Sequence, residues 1–334
     1  MESFTSHPLN VLIFSVVVLV MLLLDLGIFN KKSHAISNKE AIYWTIAWIG
    51  LSMLFSGFIY FSQGVESFTQ FQSAYWIEKA LSVDNLFVFI LVFSFFKVPK
   101  EYQHKVLFWG ILGALVMRAI FIFSGVGLIK LTYLPEIDIL GAPRKINVIL
   151  TLFGAFLIYA GIKSWFVEED EDENEDFSKS AGAKFVYKLF KVSKEFDGDK
   201  FFTLENGIKV ATPLLVVVGV IEFSDLLFAV DSIPAIFAIS DDPLILYTSN
   251  IFAILGLRSL YFLLANFIHM FSRLHYGLAI ILTFIGLKML VNPFFHIPSP
   301  ISLAIVAGVL IISVVSSLIW PIKDDKDKAE SPSK

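Results

Sequence analysis

Long apolar runs separated by short polar stretches dominate the chain. A helix needs about 20 mostly apolar residues to cross a bilayer, and nine runs approach or exceed this length. They are residues 9–29, 41–61, 74–96, 106–128, 148–167, 211–239, 244–268, 276–295 and 301–320. The runs are continuous, whereas a transmembrane β-barrel would show short alternating segments. The pattern therefore predicts an all-α fold, a polytopic transmembrane helical bundle of about nine helices.

Composition supports a membrane protein and excludes several functions. The 334 residues are 56% hydrophobic, with a mean hydropathy of +0.74, which is outside the usual range of soluble domains. Because the chain has no Cys, thiolate metal sites and thiol redox chemistry are excluded. No Gly-rich nucleotide loop is present, so ATP-driven pumping is not expected. We expect no enzyme activity, no prosthetic group and no nucleic-acid partner. The lipid bilayer is an expected partner, and protein partners stay open.

Lys and Arg residues fall mainly in alternate loops. One set of loops carries three of them and the other set carries eighteen. Since cytoplasmic loops hold the excess of Lys and Arg in membrane proteins, the count predicts an external N-terminus, a cytoplasmic C-terminus and an odd number of spans. The first apolar run is too long for a signal peptide core and lacks a basic start, so we interpret it as a span.

The polar stretch in the middle of the chain divides the spans into groups. We predict two N-terminal helices in residues 1–73, a first three-helix unit in 74–167 and a charged cytoplasmic linker in 168–210. A second three-helix unit would occupy 211–295, and the last helix and tail 296–334. The linker opens with the acidic run EEDEDENED. A block of like charge normally stays solvated, and cation capture or regulatory sensing is the alternative.

An internal repeat relates the two three-helix units. EKALSVDN at 78–85 matches DLLFAVDS at 225–232 in its carboxylate, its Val-Asp pair and the small polar residue that follows. The next spans carry Arg118 and Arg258, and the third spans carry Lys163 and Lys288. Because each unit has three helices, the second copy would insert upside down. This predicts the inverted-repeat architecture of secondary transporters.

Six carboxylates lie within the predicted spans, where each costs about 2.5–3.5 kcal/mol near a helix centre. They are Asp25, Glu78, Asp84, Glu222, Asp225 and Asp231. The structural alternative is that they form ion pairs with Arg118 and Arg258. Six acids exceed two mid-span arginines even if Lys79, Lys163 and Lys288 reach inward. The surplus of negative charge predicts that a cation binds among them.

The predicted topology places these acids at different depths. Glu78 and Asp231 would lie toward the outside and Asp25 toward the cytoplasm, with the other three near mid-depth. Each motif separates two acids by six residues, or about 240° around a regular helix. Either the helices are locally unwound or the acids serve two sites. Pro234 favours unwinding because it has no amide hydrogen for the Val230 carbonyl, although a simple kink would also accommodate it.

The candidate ligands are all oxygen donors: the carboxylates, the Asn85 amide, the Ser232 hydroxyl and backbone carbonyls. Such a set suits hard or borderline divalent ions such as Mn²⁺, Ca²⁺ or Mg²⁺. Na⁺ or H⁺ would also fit a relay of carboxylates, so both classes of ion stay open.

The motif segments carry a resemblance to a known family. EKALSVDNLFVF at 78–89, EFSDLLFAVDSIPAIFAIS at 222–240 and LLLDLGIFN near the start resemble the signature segments of the TerC/Alx family of bacterial inner-membrane proteins. The resemblance implies an inner-membrane location and export of Mn(II) from the cytoplasm. The implied metal-site residues are Glu78, Asp84, Asn85, Glu222, Asp225, Asp231 and Ser232, with Asp25 as a further candidate. Phe87 stands where the second copy has Pro234, which argues against a symmetric site.

These observations give three hypotheses. The first is a secondary transporter of Mn(II), in which Arg118 and Arg258 hold the empty site closed and Lys163 and Lys288 are further charge partners. The second is a membrane scaffold, an assembly factor or a redox-modulating protein whose buried charges are structural. The third is a proton- or sodium-coupled carrier of another solute.

Overall fold

A computed structural model describes residues 8–29, 37–139, 142–166, 176–266 and 274–319. It confirms an all-α polytopic fold. The helices of the first part are α1 (Pro8–Phe29), α2 (Asn38–Gln63), α3 (Val65–Phe95), α4 (Lys100–Leu131) and α5 (Val148–Phe166). Those of the second part are α6 (Ala181–Leu189), α7 (Pro213–Phe237), α8 (Pro243–Leu255), α9 (Leu257–Asn266), α10 (Leu274–Val291) and α11 (Ser299–Ile319).

Six of the described helices are long and apolar enough to cross a membrane: α2, α4, α5, α7, α10 and α11. A seventh span arises if α8 and α9, which meet at a bend of 41°, count as one. Helix α3 is long enough at 31 residues but carries several charged side chains, and α1 contains the shorter apolar stretch Val11–Val20. The total of nine spans stays a prediction.

Three of the predicted spans differ from the sequence-based expectation. Helix α7 is continuous through Pro234, so the predicted unwinding is wrong. The proline lies in the last turn, and the helix ends at Phe237 with the Ala238 amide donating to the Pro234 carbonyl at 3.3 Å. The break lies instead in the following span, at Gly256 between α8 and α9. Helix α3 begins at Val65, well before the predicted residue 74.

Helices α5 and α10 pack closely along their length through small residues. A β-carbon on Gly161 would lie 2.7 Å from the Ala279 carbonyl oxygen and 2.4 Å from the Thr283 hydroxyl oxygen. Such contacts let two backbones approach where lipid offers no hydrophobic drive for association. The third helices of the two predicted units therefore contact each other directly.

The lysine-poor ends of several helices meet at one end of the bundle. The Ser299 hydroxyl donates to the Glu66 carboxylate at 2.6 Å, and the Ser240 hydroxyl donates to the Gln70 side-chain oxygen at 2.7 Å. Three segments that the lysine count assigns to the same side therefore contact one another. That this side is external stays a prediction.

The linker lies at the opposite end and contacts the start of α4. The Lys105 ammonium is 3.0 Å from the Asp199 carboxylate and lies over the Phe201 ring, 5.1 Å from its centroid. Lys105 and the linker are both on the side predicted to be cytoplasmic, so this contact agrees with the predicted grouping of loops.

Much of the linker is folded, which the sequence patterns did not predict. Besides α6 it contains a hairpin of β3 (Phe202–Glu205) and β4 (Ile208–Ala211). Asn206 and Gly207, both with positive φ, form its turn, as an Asn-Gly pair does in tight hairpins. In the loop before the hairpin, hydrogen bonds from Thr203 and Lys200 hold the pKa of Asp197 below its ordinary value. Most of the acidic run, residues 168–175, is outside the described residues.

A second small hairpin joins α4 to α5. It pairs β1 (Ile137–Ile139) with β2 (Ala142–Arg144). The Arg144 guanidinium donates to the Pro293 carbonyl oxygen at 3.0 Å, which ties this connection to the end of α10.

Candidate functional site

Arg118 lies at the centre of the bundle and connects the two predicted repeats. Its side chain is 1% exposed. One guanidinium nitrogen contacts the carboxylate of Glu78 on α3, and the other is 3.6 Å from the carboxylate of Asp225 on α7. A single arginine thus bridges two acids that the sequence analysis assigned to matching positions in the two copies.

Three neutral polar side chains complete this group. The Arg118 guanidinium donates to the Ser232 hydroxyl at 3.3 Å and to the Asn250 side-chain oxygen at 3.4 Å. The Ser82 hydroxyl donates to the Glu78 carboxylate at 3.2 Å. We call these six residues the central cluster: Ser82, Glu78, Arg118, Asp225, Ser232 and Asn250.

Regular helix geometry brings these side chains together. Arg118 belongs to the buried stripe of α4, whose members recur every three or four residues: Ile111, Ala114, Arg118, Ile122, Val126 and Ile129. Ser82 follows Glu78 by four residues and shares its helix face. Ser232 follows Asp225 by seven residues, nearly two full turns, so both face α4.

The central cluster leaves several buried polar atoms unsatisfied. Among the described residues, one Glu78 carboxylate oxygen, the Arg118 Nε and the Asn250 Nδ2 have no hydrogen-bond partner. Buried polar groups are nearly always paired in folded proteins. The central cluster is therefore a buried polar group with unused donors and acceptors in an apolar surrounding.

The predicted separation of Glu78 and Asp225 in depth is wrong. Both carboxylates contact the same guanidinium, so they lie at about one level. The predicted span begins at residue 74, whereas α3 begins nine residues earlier at Val65, and this changes the depth of Glu78.

Glu222 lies beside α4 on the same side of α7 as Asp225. A β-carbon on Gly113 would lie 2.0 Å from a Glu222 carboxylate oxygen, so the acid fills the space that the glycine leaves. Glu222 is half-buried, and no ion pair to it occurs within the described part of the chain. It precedes Asp225 by three residues and so occupies an adjoining position on α7.

The other predicted residues have mixed positions. Asn85 is half-buried on α3, and Arg258 and Lys288 are buried on α9 and α10. Lys163 is exposed on α5, and its role as a charge partner stays a prediction. The side chains of Asp25, Asp84 and Asp231 are outside the described part of the structure.

Lys79 is a buried cation beside the break between α8 and α9. Its ammonium donates to the Ala253 carbonyl oxygen at 3.1 Å and lies next to Gly256, where a β-carbon would be 2.7 Å from it. The last carbonyls of a helix carry partial negative charge. Lys79 therefore stabilises the free end of α8.

Two members of the central cluster, Ser82 and Asn250, are not among the residues that the sequence predicts for the site. Both are neutral, so a search for charged residues passes over them. Ser82 lies inside the first motif, and Asn250 lies in an apolar run. Its signal was the polar triplet Thr248, Ser249 and Asn250, all of which are fully buried.

The described side chains do not form a ready metal site. No three His, Asp or Glu side chains among them lie close enough together to hold a metal ion. Arg118 occupies the position between Glu78 and Asp225 that a cation would need. In this conformation the two acids bind an internal cation.

Comparison with known proteins identifies the family. Residues 63–328 match the model of the integral membrane protein TerC family. A membrane protein of Myxococcus xanthus is 43% identical over 319 residues, covering 96% of this chain and 95% of that protein.

Two further relatives, from Salmonella typhi and Escherichia coli K12, are both named Alx with the provisional description of membrane-bound redox modulator. They are 43% and 41% identical over 324 residues, covering 94% of this chain and 95% and 96% of theirs. No solved structure shows significant similarity to the chain. The extent of these matches shows that the chain belongs to the TerC family of integral membrane proteins.

Proposed function

We propose that the protein is a secondary transporter that exports a divalent cation, foremost Mn(II), from the cytoplasm through the central cluster. The observation that carries the proposal is the meeting of Glu78 and Asp225 at Arg118 in the middle of the bundle. When all three side chains are ionised, the two carboxylates and the guanidinium have a net charge of about −1, so one further positive charge would neutralise the group. Charged side chains inside a membrane protein typically mark ion pathways.

The chemistry of the donors supports a hard cation. Glu78, Asp225, Ser232 and Asn250 all turn an oxygen toward the Arg118 guanidinium. Oxygen donors suit Mn²⁺, Mg²⁺ and Ca²⁺ better than Zn²⁺ or Cu²⁺, which favour imidazole or thiolate. If Arg118 swings away, the same four oxygens are available to a metal ion.

Arg118 and the cargo would therefore compete for the same acids. A divalent ion offers two charges to Glu78 and Asp225 where the guanidinium offers one. In this proposal, cargo binding displaces Arg118 and cargo release lets it return. Glu222, without an ion pair in the described residues, is placed to receive the ion next to the central cluster.

A structural role is the second candidate, and the same ion pairs favour it. An arginine buried between two acids joins α3, α4 and α7, and breaking such a group is strongly destabilising. In this case the protein is a scaffold, or modulates redox state as the names of its relatives suggest. Since the chain has no cysteine, such modulation would not proceed through its own thiols. A carrier of another solute coupled to H⁺ or Na⁺ would use the acids as a relay.

Flux measurements in liposomes distinguish these candidates. The purified protein is reconstituted with a manganese-sensitive dye in the lumen, and Mn²⁺, Ca²⁺ and Mg²⁺ are supplied in turn outside. We expect Mn²⁺ flux with the wild type and its loss in Glu78→Gln and Asp225→Asn. Asp138→Asn is the matched control, because Asp138 is an exposed acid on β1, and it should retain full flux.

The outcome that contradicts transport is the absence of metal flux in the folded wild-type protein, or equal flux in the wild type and both cluster variants. Cell manganese content with Asp84→Ala and Asp231→Ala is an independent check. Unchanged manganese handling with membrane-inserted variants favours the scaffold. Metal-independent H⁺ or Na⁺ flux favours the carrier of another solute.

A further inference from the structure

Helix α6 in the linker is strongly amphipathic, and one of its faces is covered by α7. The covered residues are Gly182, Ala183 and Val186. The contact is close, because a β-carbon on Gly182 would lie 2.2 Å from the Gly219 carbonyl oxygen. Helix α6 is therefore fixed to a transmembrane helix rather than extended into solvent.

The position of Gly219 sets the depth of this contact. It lies six residues after α7 begins at Pro213, or about 9 Å along the helix at 1.5 Å per residue. All 25 residues of α7 extend over about 37 Å, whereas the hydrocarbon core is about 30 Å thick. Helix α6 consequently contacts α7 near the boundary between headgroups and acyl chains.

The uncovered faces of α6 have the chemistry of this boundary. Phe185 and Leu189, four residues apart on one flank, are 64% and 56% exposed. Lys184 and Lys188, also four residues apart, project opposite the face that packs on α7 and are exposed. Helices that lie in a membrane interface combine large apolar side chains with lysines in this way, and lysines there extend their ammonium groups toward the headgroups.

We propose that α6 is a lipid-binding helix, with Phe185 and Leu189 inserted among acyl chains and Lys184 and Lys188 on the phosphates of anionic lipids. Charge complementarity selects anionic headgroups over neutral ones. The position of α6 favours lipid over a soluble protein as its partner. At that level, a transmembrane helix is surrounded by the bilayer. The inference is independent of what the central cluster does.

The cysteine-free sequence allows a direct test with single spin labels on the full chain. Labels at Phe185→Cys and Leu189→Cys are compared with a control label at Asn206→Cys, in the exposed hairpin turn. The protein is placed in phosphatidylcholine vesicles with increasing phosphatidylglycerol. We expect the first two labels to collide with dissolved oxygen and lose contact with a water-soluble nickel chelate, and the control label to show the opposite.

The lysines give a second measurement. Each lysine near an anionic surface contributes about 1 kcal/mol, so Lys184→Gln should lower the equilibrium constant for insertion of the label at position 185 by roughly fivefold at a fixed phosphatidylglycerol fraction. Lys145→Gln, at an exposed lysine beside the other hairpin, should leave it unchanged. Tm measurements on every variant confirm that the bundle is folded.

Three results would overturn the proposal. The first is nickel access at positions 185 and 189 as high as at 206 in every vesicle. The second is protection that does not depend on phosphatidylglycerol. The third is a protection that Lys184→Gln and Lys145→Gln weaken equally, because the lysines of α6 would then make no specific contribution.

Discussion

The backbones of Gly154 and Gly286 contact each other between α5 and α10. A β-carbon on Gly154 would lie 3.0 Å from the Gly286 carbonyl oxygen, and one on Gly286 would lie 2.6 Å from the Gly154 carbonyl oxygen. Neither position has room for a larger residue unless the helices separate. The pair therefore sets the distance between the two helices.

A second contact of the same kind lies about two helical turns further along α5. Aligning YAGIKSW with FIGLKML matches Gly161 to Gly286 and Gly154 to Ala279. Gly154 contacts Gly286, and Gly161 contacts Ala279. The second pair consists of the equivalents of the first pair, with the two helices exchanged. A pair of copies related by a two-fold axis gives this reciprocal pattern. It supports the inverted repeat, which stays a prediction for the unit as a whole.

Replacement of Gly286 by Ala should destabilise the bundle. The new methyl group would meet the backbone of Gly154 and of Ile158, which cannot move without shifting α5. We expect a loss of about 1–3 kcal/mol, as for overpacking elsewhere, measured as a lower Tm in lipid nanodiscs. Gly308→Ala is the control, because a β-carbon there meets nothing within 4 Å. Equal Tm values for both variants would contradict close packing at this site.

Removal of the Arg118 charge should lower the stability of the fold, and simultaneous removal of one acid should reduce that loss. Arg118→Gln leaves Glu78 and Asp225 buried without a countercharge, which we expect to cost about 3–5 kcal/mol. Arg118→Gln combined with Glu78→Gln should recover part of this loss, because one buried anion is gone. Denaturant unfolding of both variants measures the difference. A double variant less stable than Arg118→Gln would show that the charges do not interact.

Gly113→Ala should move the Glu222 carboxylate and leave the fold intact. The new methyl group would overlap only the end of that flexible side chain, so the carboxylate can swing aside. We expect Mn²⁺ flux to fall, as we also expect for Glu222→Gln, with an unchanged Tm. Gly127→Ala, also on α4 but in open space, should retain full flux. Normal flux in Gly113→Ala would remove Glu222 from the proposed pathway.

Accessibility of single cysteines should reveal the orientation. Glu136→Cys lies beside the hairpin that joins α4 to α5, and Asn206→Cys lies in the turn of the linker hairpin, both at exposed positions. With the N-terminus outside, a membrane-impermeant maleimide should label position 136 in spheroplasts and position 206 only after lysis. The wild type, without cysteine, gives the background. Labelling in the reverse order would invert the predicted topology.

Gly207→Ala should loosen the linker hairpin and not the bundle. Gly207 has a φ of 77°, and a side chain in the left-handed region costs about 1–2 kcal/mol. We expect faster hydrogen exchange in β3 and β4 and no change in α7. Gly127→Ala, inside a helix and in open space, is the control. Exchange in β3 and β4 as slow as in the wild type would show that the turn does not need glycine.

The apolar runs predicted the class of fold and the position of most helices, because a membrane helix must be continuously apolar whatever its neighbours are. Ion pairs between the acids and the arginines are the structural alternative that the sequence allows, and Glu78 and Asp225 do form such pairs with Arg118. The partner of each acid could not be derived, since it depends on which helices contact each other. Arg118 reaches both acids only because α3 and α4 both pack against α7 and α8.

The features that the sequence did not predict depend on context. The chain bends at Gly256 and remains helical through Pro234, because tertiary contacts such as that of Lys79 with the Ala253 carbonyl decide where a helix end is stabilised. The linker hairpin had a local signal in Asn206 and Gly207, but its strands are short and lie in a lysine-rich stretch interpreted as a linker. Asn250 is neutral, and only its neighbours reveal its role.

The ion pairs of Arg118 have a consequence for the energetics of an empty carrier. Buried carboxylates without a countercharge would raise the free-energy barrier for reorientation of an unloaded carrier. Such a carrier would have to exchange one cargo ion for another. If the proposed function is correct, Arg118 is a built-in cation that neutralises part of the charge of the central cluster in the absence of cargo. Under the proposed function, the protein could therefore reset without a return load, and net efflux would proceed in the absence of external metal.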